Sequence, residues 1–270
     1  MKSLAARKAY VSAGSRGLAF QIAKRLASEG AAVALSSRSE DNLRVARENI
    51  LRDIPDASVL TVAADLSNRE DQARTLRTLE QYSFSPDIFV CSAGQPPNVR
   101  VPNISRDVWD RDVEMILGQA MFSSQHFAPA MARRKYGRIL FISSVFSKGG
   151  NWLTSSVTRA GLAVLSRALV EEYACDRVAS FVMNLGYVDT ALLRNMALGR
   201  AFDAPDPETE HGADALWRTR YRDWAMTIPA RRIGTPEELA ELVLFLASPA
   251  AEYLNGSVLD FAGGLTGGTL

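Results

Sequence analysis

The sequence predicts an α/β protein of the doubly wound, parallel-sheet (Rossmann) class with helices on both faces. Short apolar runs bounded by turn residues alternate with helical-period segments, a strand-to-helix turn near the start carries glycines, and no internal repeat or low-complexity stretch interrupts the alternation. Strands that alternate with helices are joined by right-handed crossovers, which makes the sheet parallel and covers both of its faces. With 270 residues, 47% of them hydrophobic and 23% charged, one large core is affordable and a single domain over 1–270 is expected.

The elements follow in order. Residues 9–13 form an apolar run that stops at a glycine turn, after which Leu18, Ile22 and Leu26 recur at helical spacing. Gly30 closes that helix, 31–36 is a second apolar run, and 39–52 is a charged helix, which completes a βαβ unit. Strands at 59–63, 88–91, 138–143 and 180–184 then alternate with helices at 69–81, 108–132 and 155–175. Between 191 and 228 the pattern weakens into two amphipathic pieces around Pro205, Pro207 and an acidic cluster; an insertion of this length is expected to form a substrate-side lid. Leu192, Leu193, Met196, Phe202 and Trp217 give it an apolar lining, or pack on the core instead. Thr235-Pro236-Glu237-Glu238 opens a last helix with a cap residue, Pro at its first position and acids in its first turn; 239–247 carries its apolar face, and 258–261 is the final strand.

A net charge of +1, from 31 basic and 30 acidic residues, provides no electrostatic footprint for nucleic acid or an anionic membrane. Cys91 and Cys175 show neither CxxC spacing nor clustered histidines, so neither a disulfide framework nor a metal site is expected, and a reducing cytoplasm suits them. The first residues, MKSLAARKAYVSAG, lack the apolar core of a signal peptide, and no stretch approaches the roughly 20 apolar residues that span a bilayer.

In the turn Ser12-Ala13-Gly14-Ser15-Arg16-Gly17-Leu18-Ala19, backbone N–H groups and the helix dipole are placed to receive a pyrophosphate. A tight turn without a ligand is the alternative. At the end of the second strand, Ser36-Ser37-Arg38 has no acid for a ribose 2′-hydroxyl; Arg38 and Arg16 suit a 2′-phosphate, which favours NADP(H) over NAD(H), unless both are simply solvated surface arginines.

These residues resemble the short-chain dehydrogenase/reductase family, in the manner of its 3-oxoacyl-ACP reductases. Ser12 stands for the Thr of the TGxxxGxG turn and Gly17 for its middle Gly, while Ala13 and Ala19 replace the outer two. Their methyls narrow the approach of cofactor to backbone, so weakened or absent binding stays open beside full binding. Asp65-Leu66 matches the pair that contacts adenine, and Cys91-Ser92-Ala93-Gly94 stands where NNAG is usual. Trp109-Asp110 and Pro129-Ala130-Met131 match the ends of the central helix. Asn184-Leu185-Gly186-Tyr187-Val188-Asp189-Thr190 resembles the NxxPGxVxT region that closes over nicotinamide. Arg232-Ile233-Gly234, Pro236-Glu237-Glu238, Phe245-Leu246-Ala247-Ser248 and Gly263-Gly264 resemble the C-terminal signature.

The resemblance implies a catalytic Tyr, a Lys four residues later, a substrate-orienting Ser and an Asn. Aligning Thr158-Arg159-Ala160-Gly161-Leu162 puts Arg159 at the Lys and Ser155 at the Tyr, and the central helix puts Ile116 at the Asn. Ser144, or its neighbour Ser143, is the surviving fourth. The segment between Ser144 and Ser155 is about two residues short of the family spacing, which brings Asn151 and Trp152 into question as pocket floor or ordinary packing. A Ser hydroxyl is a far weaker acid than a phenol and Arg stays protonated, so this pair binds oxygens without relaying a proton. Lys148 is the preferred replacement acid, ahead of Tyr136, Tyr187, His126 and Cys91, each of which also has a plain reading as a pocket-wall, surface or packed residue. Two functions follow. One is an oxidoreductase of a small carbonyl or alcohol, or a non-redox enzyme in the same cavity, assembled as a homo-oligomer. The other is a non-catalytic subunit paired with an active relative; a dinucleotide sensor would share the binding site.

Overall fold

The computed structural model describes residues 3–92, 94, 99–145, 153–201, 204 and 213–265. Among them, seven parallel strands alternate with helices: β1 (Lys8–Val11), α1 (Gly17–Ser28), β2 (Ala32–Ser37), α2 (Glu40–Asp53), β3 (Val59–Ala63), α3 (Arg69–Gln81) and β4 (Ile88–Cys91) build the first half. The second half runs α4 (Arg106–Val113), α5 (Gln119–Arg133), β5 (Gly137–Ser144), α6 (Leu153–Tyr173), β6 (Val178–Leu185), α7 (Ala191–Ala197), α8 (Ala213–Thr227), α9 (Pro236–Ala247) and β7 (Val258–Phe261). The strand order is β3-β2-β1-β4-β5-β6-β7. The chain steps outward from β1 to β3 and then crosses back to β4, so the order reverses between β1 and β4. The crevice beyond their carboxyl ends is where such sheets hold ligands.

Strand side chains alternate between two cores. Leu140 and Ile142 of β5 face the side covered by α1, α2 and α9, with Ile22, Leu26, Ile50, Leu239 and Val243. Ile139 and Phe141 face the other side, with Leu79 of α3, Phe127 and Met131 of α5, and Leu162 and Leu169 of α6. Both faces are therefore apolar, as a fully covered parallel sheet requires. No helix among the described residues is long and apolar enough to cross a membrane.

The central helix differs from the expected unbroken 108–132. Ser105 caps it two residues earlier, accepting from Val108 N at 3.2 Å, and residues Glu114–Gly118 form a π-turn between α4 and α5. Gly118 leaves room for the Glu114 carboxylate beside this turn: a Cβ there would lie 2.6 Å from Glu114 Oε1. The helix expected at 155–175 is shifted two residues earlier and ends in a 3-10 turn, Ala174–Asp176, followed by Arg177 at φ 63°.

α9 shows the cap its sequence promises. Thr235 Oγ1 accepts from Glu238 N at 3.2 Å, and Glu238 Oε2 accepts from Thr235 N at 2.9 Å and from Arg232 Nη1 at 2.8 Å. The guanidinium and the backbone N–H hold Glu238 down to about 2 from 4.5. A carboxyl with a depressed folded pKa stabilises above its ordinary pKa and loses that contribution as pH falls. Glu238→Gln should therefore show a shallower fall in melting temperature than the wild type between pH 4.5 and 2. Solvent screening of this part-exposed pair limits the difference to under about 1 kcal/mol.

Candidate active site

The turn after β1 is tied down from three directions. Ser12 N donates to Val90 O at 3.0 Å, Gly14 N to Ser36 O at 2.9 Å, and Ser15 Oγ to Ser37 Oγ at 2.8 Å. Gly14 has no room for a Cβ, which would sit 2.9 Å from Leu35 Cδ2 and from Val11 O, whereas a Cβ at Gly17 would meet nothing within 4 Å. α1 is also chemically distinct from its neighbours. Ser39, Asn68, Ser105, Thr190 and Thr235 cap α2, α3, α4, α7 and α9 through their side chains, but α1 starts at Arg16 without a side-chain cap and without an acid in its first turn. Helix-terminal N–H groups need acceptors, and the positive end of the dipole favours an anion. The turn thus fits a pyrophosphate.

Ala13 sits at φ 52°, the left-handed region that penalises a Cβ by roughly 1 kcal/mol or more. Ala13→Gly is expected to raise stability by up to about 1 kcal/mol, read as a higher melting temperature. Ala19, at the other glycine position, is buried in the helix–sheet core, where its methyl contributes to packing.

The end of β4 is the meeting point of the site. Ser12 Oγ donates to Ser92 O at 2.7 Å, Ser92 N donates back to Ser12 Oγ at 2.9 Å, and Gln119 Nε2 reaches Ser92 O at 3.4 Å. Two residues on, Gly94 O accepts from Arg159 Nη2 at 3.2 Å. Arg159 also reaches Ile142 O at 3.4 Å and donates through Nε to Ser155 Oγ at 2.9 Å. One guanidinium therefore joins β4, β5 and α6. Ser155 and Arg159 are both 5% exposed. Burial pulls Arg159 down to about 10, still far above neutrality, so it remains a cation in a low-dielectric setting. The structure thus brings together the two residues at the Tyr and Lys spacing.

Ser144 ends β5 opposite Leu185 of β6 and is half-buried. Its neighbour Ser143 points to the α6 face, and its buried Oγ has no hydrogen-bond partner among the described residues. Ile116 lies in the π-turn at 1% exposure, packed in the cluster that includes Phe141 and Leu162, and supplies no polar group. Thr154, beside Ser155, donates to the wholly buried Asp112 at 2.8 Å, a bond between α6 and α4 that sequence reading missed. The signals are faint: an acid and a glycine four residues apart for the π-turn, and one Asp among three in a charged stretch.

The substitute acids are dispersed. Tyr136 precedes β5, at the opposite end of the strand from Ser144, and donates to Ala247 O. His126 faces α3, 3.4 Å from Glu80. Burial pushes the Cys91 thiol up to about 12, which keeps it protonated. Tyr187 stacks on Trp224 of α8, ring centroids 5.1 Å apart. Ala93, Lys148, Asn151, Trp152 and Phe202 lie outside the described residues.

On the cofactor side, Arg16 and Arg38 are exposed near the turn and the end of β2. Asp65 Oδ1 accepts from Ser67 N and Oγ at 2.9 and 2.8 Å, and the Leu66 carbonyl accepts from Gln72. Val188 bridges to Gly234, and Thr190 Oγ1 caps α7 at Leu193 N, 3.2 Å away. Leu193, with Ile228 and Ile233, forms a small cluster that Met196, Trp217, Tyr221 and Trp224 pack against. Leu192 is exposed. Among the described residues no group of three or more His, Cys, Asp or Glu is arranged to hold a metal.

A family model described as Enoyl-(Acyl carrier protein) reductase matches residues 12–266. The 3-oxoacyl-[acyl-carrier-protein] reductase MabA of Mycobacterium tuberculosis is 27% identical over 261 residues, 96% of this chain and 92% of its own. Human dehydrogenase/reductase SDR family member 4 is 26% identical over 266 residues, 97% of this chain and 88% of its own. The L-sorbose reductase of Gluconobacter frateurii, solved with NADPH and L-sorbose, superposes with a TM-score of 0.88 at 26% identity, covering 100% of both chains.

Proposed function

The chain belongs to the short-chain dehydrogenase/reductase family, and from that premise we propose an NADP(H)-dependent oxidoreductase of a small carbonyl or alcohol that works without a phenol–ammonium pair. The observation that carries this reading is the Ser155–Arg159 hydrogen bond: the two residues stand at the family's Tyr and Lys spacing, with Arg159 bonded to two backbone carbonyls as well. The uncapped α1 and the open space at Gly17 support cofactor binding. In this reading Ser12, Gly14, Ser15, Arg16, Gly17 and Leu18 hold the pyrophosphate, Arg38 and Arg16 the 2′-phosphate, Asp65 and Leu66 the adenine, Ser92 to Gly94 the cofactor's middle, and Val188 and Thr190 the nicotinamide. The L-sorbose reductase relative, which binds NADPH, favours the same cofactor. NADP(H) supplies or accepts the hydride.

Ser144 orients the substrate oxygen, and α7 and α8 of the 191–228 segment cover it, residues 202–203 and 205–212 of that segment lying outside the described residues. Neither Ser155 nor Arg159 is a competent proton donor at neutral pH, so the proton exchanges with solvent and the step is slow. The test is single-turnover oxidation of NADPH held by the wild-type protein, followed by absorbance against a panel of small ketones and aldehydes. Slow oxidation with at least one class of carbonyl is expected. Bound NADPH that no carbonyl oxidises would reject the oxidoreductase reading.

That outcome would favour the second reading, a non-catalytic subunit that pairs with an active relative. A specific observation supports it: Met121 and Phe122 on α5 and Val157 and Val164 on α6 are large apolar side chains left exposed. Co-purification with an active family member, and activity only in the mixture, would establish it.

A further inference from the structure

A second set of polar groups is buried away from Ser155 and Arg159, around the π-turn. Gln72 of α3 is 7% exposed and its Nε2 is shared among Leu66 O at 2.8 Å, Glu114 Oε1 at 3.2 Å and Glu114 O at 3.3 Å. Glu114 is 6% exposed, and its other carboxylate oxygen accepts from Arg69 Nε at 2.7 Å. The carboxylate occupies the space that a Cβ on Gly118 would take. On the far side of the same turn, Gln119 Nε2 bonds Met115 O at 2.5 Å and reaches Ser92 O, which Ser12 also holds. Buried amides and carboxylates are costly unless they are satisfied, so a network of this completeness fixes the loops that it touches.

The loop it fixes lies on the adenosine side. β3 pairs with β2 on the side of β2 away from β1, and Ala64 N donates to Ser37 O at 2.8 Å, which sets the 65–66 loop next to the end of β2 and Arg38. A dinucleotide laid across the crevice, with its pyrophosphate on α1 and its ribose phosphate at β2, puts its adenine toward this loop.

We propose that Gln72 and Glu114 are positioning residues for the adenine half of the cofactor, fastening the Leu66 loop to the π-turn of the central helix. The proposal rests on the NADP(H) reading above. Gln72 acts through Leu66, Glu114 acts through Gln72, and Gly118 provides the room.

The experiment measures binding of NADPH, adenosine 2′,5′-bisphosphate and reduced nicotinamide mononucleotide to the wild type and three variants. Gln72→Leu and Glu114→Ala should weaken the two adenine-containing ligands by about tenfold. Reduced nicotinamide mononucleotide should bind each as it binds the wild type. Glu114→Gln keeps an acceptor for Gln72 and should stay within about twofold of the wild type. Equal weakening of all three ligands, or no weakening, would overturn the assignment. Hydrogen exchange on the wild type covers the case in which Gln72→Leu and Glu114→Ala fail to fold. Adenosine 2′,5′-bisphosphate should slow exchange in both 65–72 and 114–118, and slowing confined to 65–72 would refute the link. A wild type that binds no NADPH at all would instead remove the cofactor reading, a different result from a variant that binds normally.

Discussion

The double variant Ser155→Tyr with Arg159→Lys should reduce a small carbonyl with NADPH about 10²-fold faster than the wild type, the lower end of what general acid catalysis supplies. Ser155 stands on the first turn of α6 and touches the guanidinium that occupies the Lys spacing. A phenol there would place a proton of suitable acidity beside an ammonium that favours its ionised form. Ser144, the proposed substrate-orienting residue, already ends β5 and is kept in this variant. Ser155→Tyr alone should gain less, because Arg159 would remain fixed on Ile142 O and Gly94 O. Steady-state NADPH oxidation by the wild type, the single variant and the double variant provides the comparison. A double variant that binds NADPH and stays as slow as the wild type would show that the pocket has changed beyond these two positions.

Arg159→Ala should cost about 3 kcal/mol of stability, the range for buried acceptors left without a donor. The guanidinium is the shared donor for Ser155 Oγ and two carbonyls at the ends of β4 and β5, and its removal also opens a cavity under α6. Arg159→Lys should cost less, since one ammonium can keep part of this set. Denaturant unfolding monitored by circular dichroism measures both. If Arg159→Ala unfolds at the wild-type midpoint, the guanidinium does not hold the strand ends together.

Much of this architecture is legible in the sequence because it depends on local patterns. The run 88–91 and the alternating pair Ile139 and Phe141 against Leu140 and Ile142 encode a two-faced strand, and Thr235 announces its helix. The Ser155–Arg159 contact is readable too, since residues four apart on one helix share a face. The π-turn is not. Its Glu114 meets Gln72 and Arg69 of α3, 42 and 45 residues away in sequence, in space that a Cβ at Gly118 would enter, and no local pattern encodes that meeting. The Asp112–Thr154 bond is likewise separated by 42 residues, and no local periodicity encodes it. Ala13 marks the boundary between the two cases. Its place in the turn is readable, and its positive φ emerges only from the fold.

A fluorescence titration of the wild-type protein with NADPH and NADH, repeated on Arg38→Ala, tests the proposed cofactor site most directly. Saturable NADPH binding, NADH weaker by about tenfold, and loss of that preference in Arg38→Ala are the expected results. A wild type that saturates with neither nucleotide, or that binds NADH as tightly as NADPH, would contradict it.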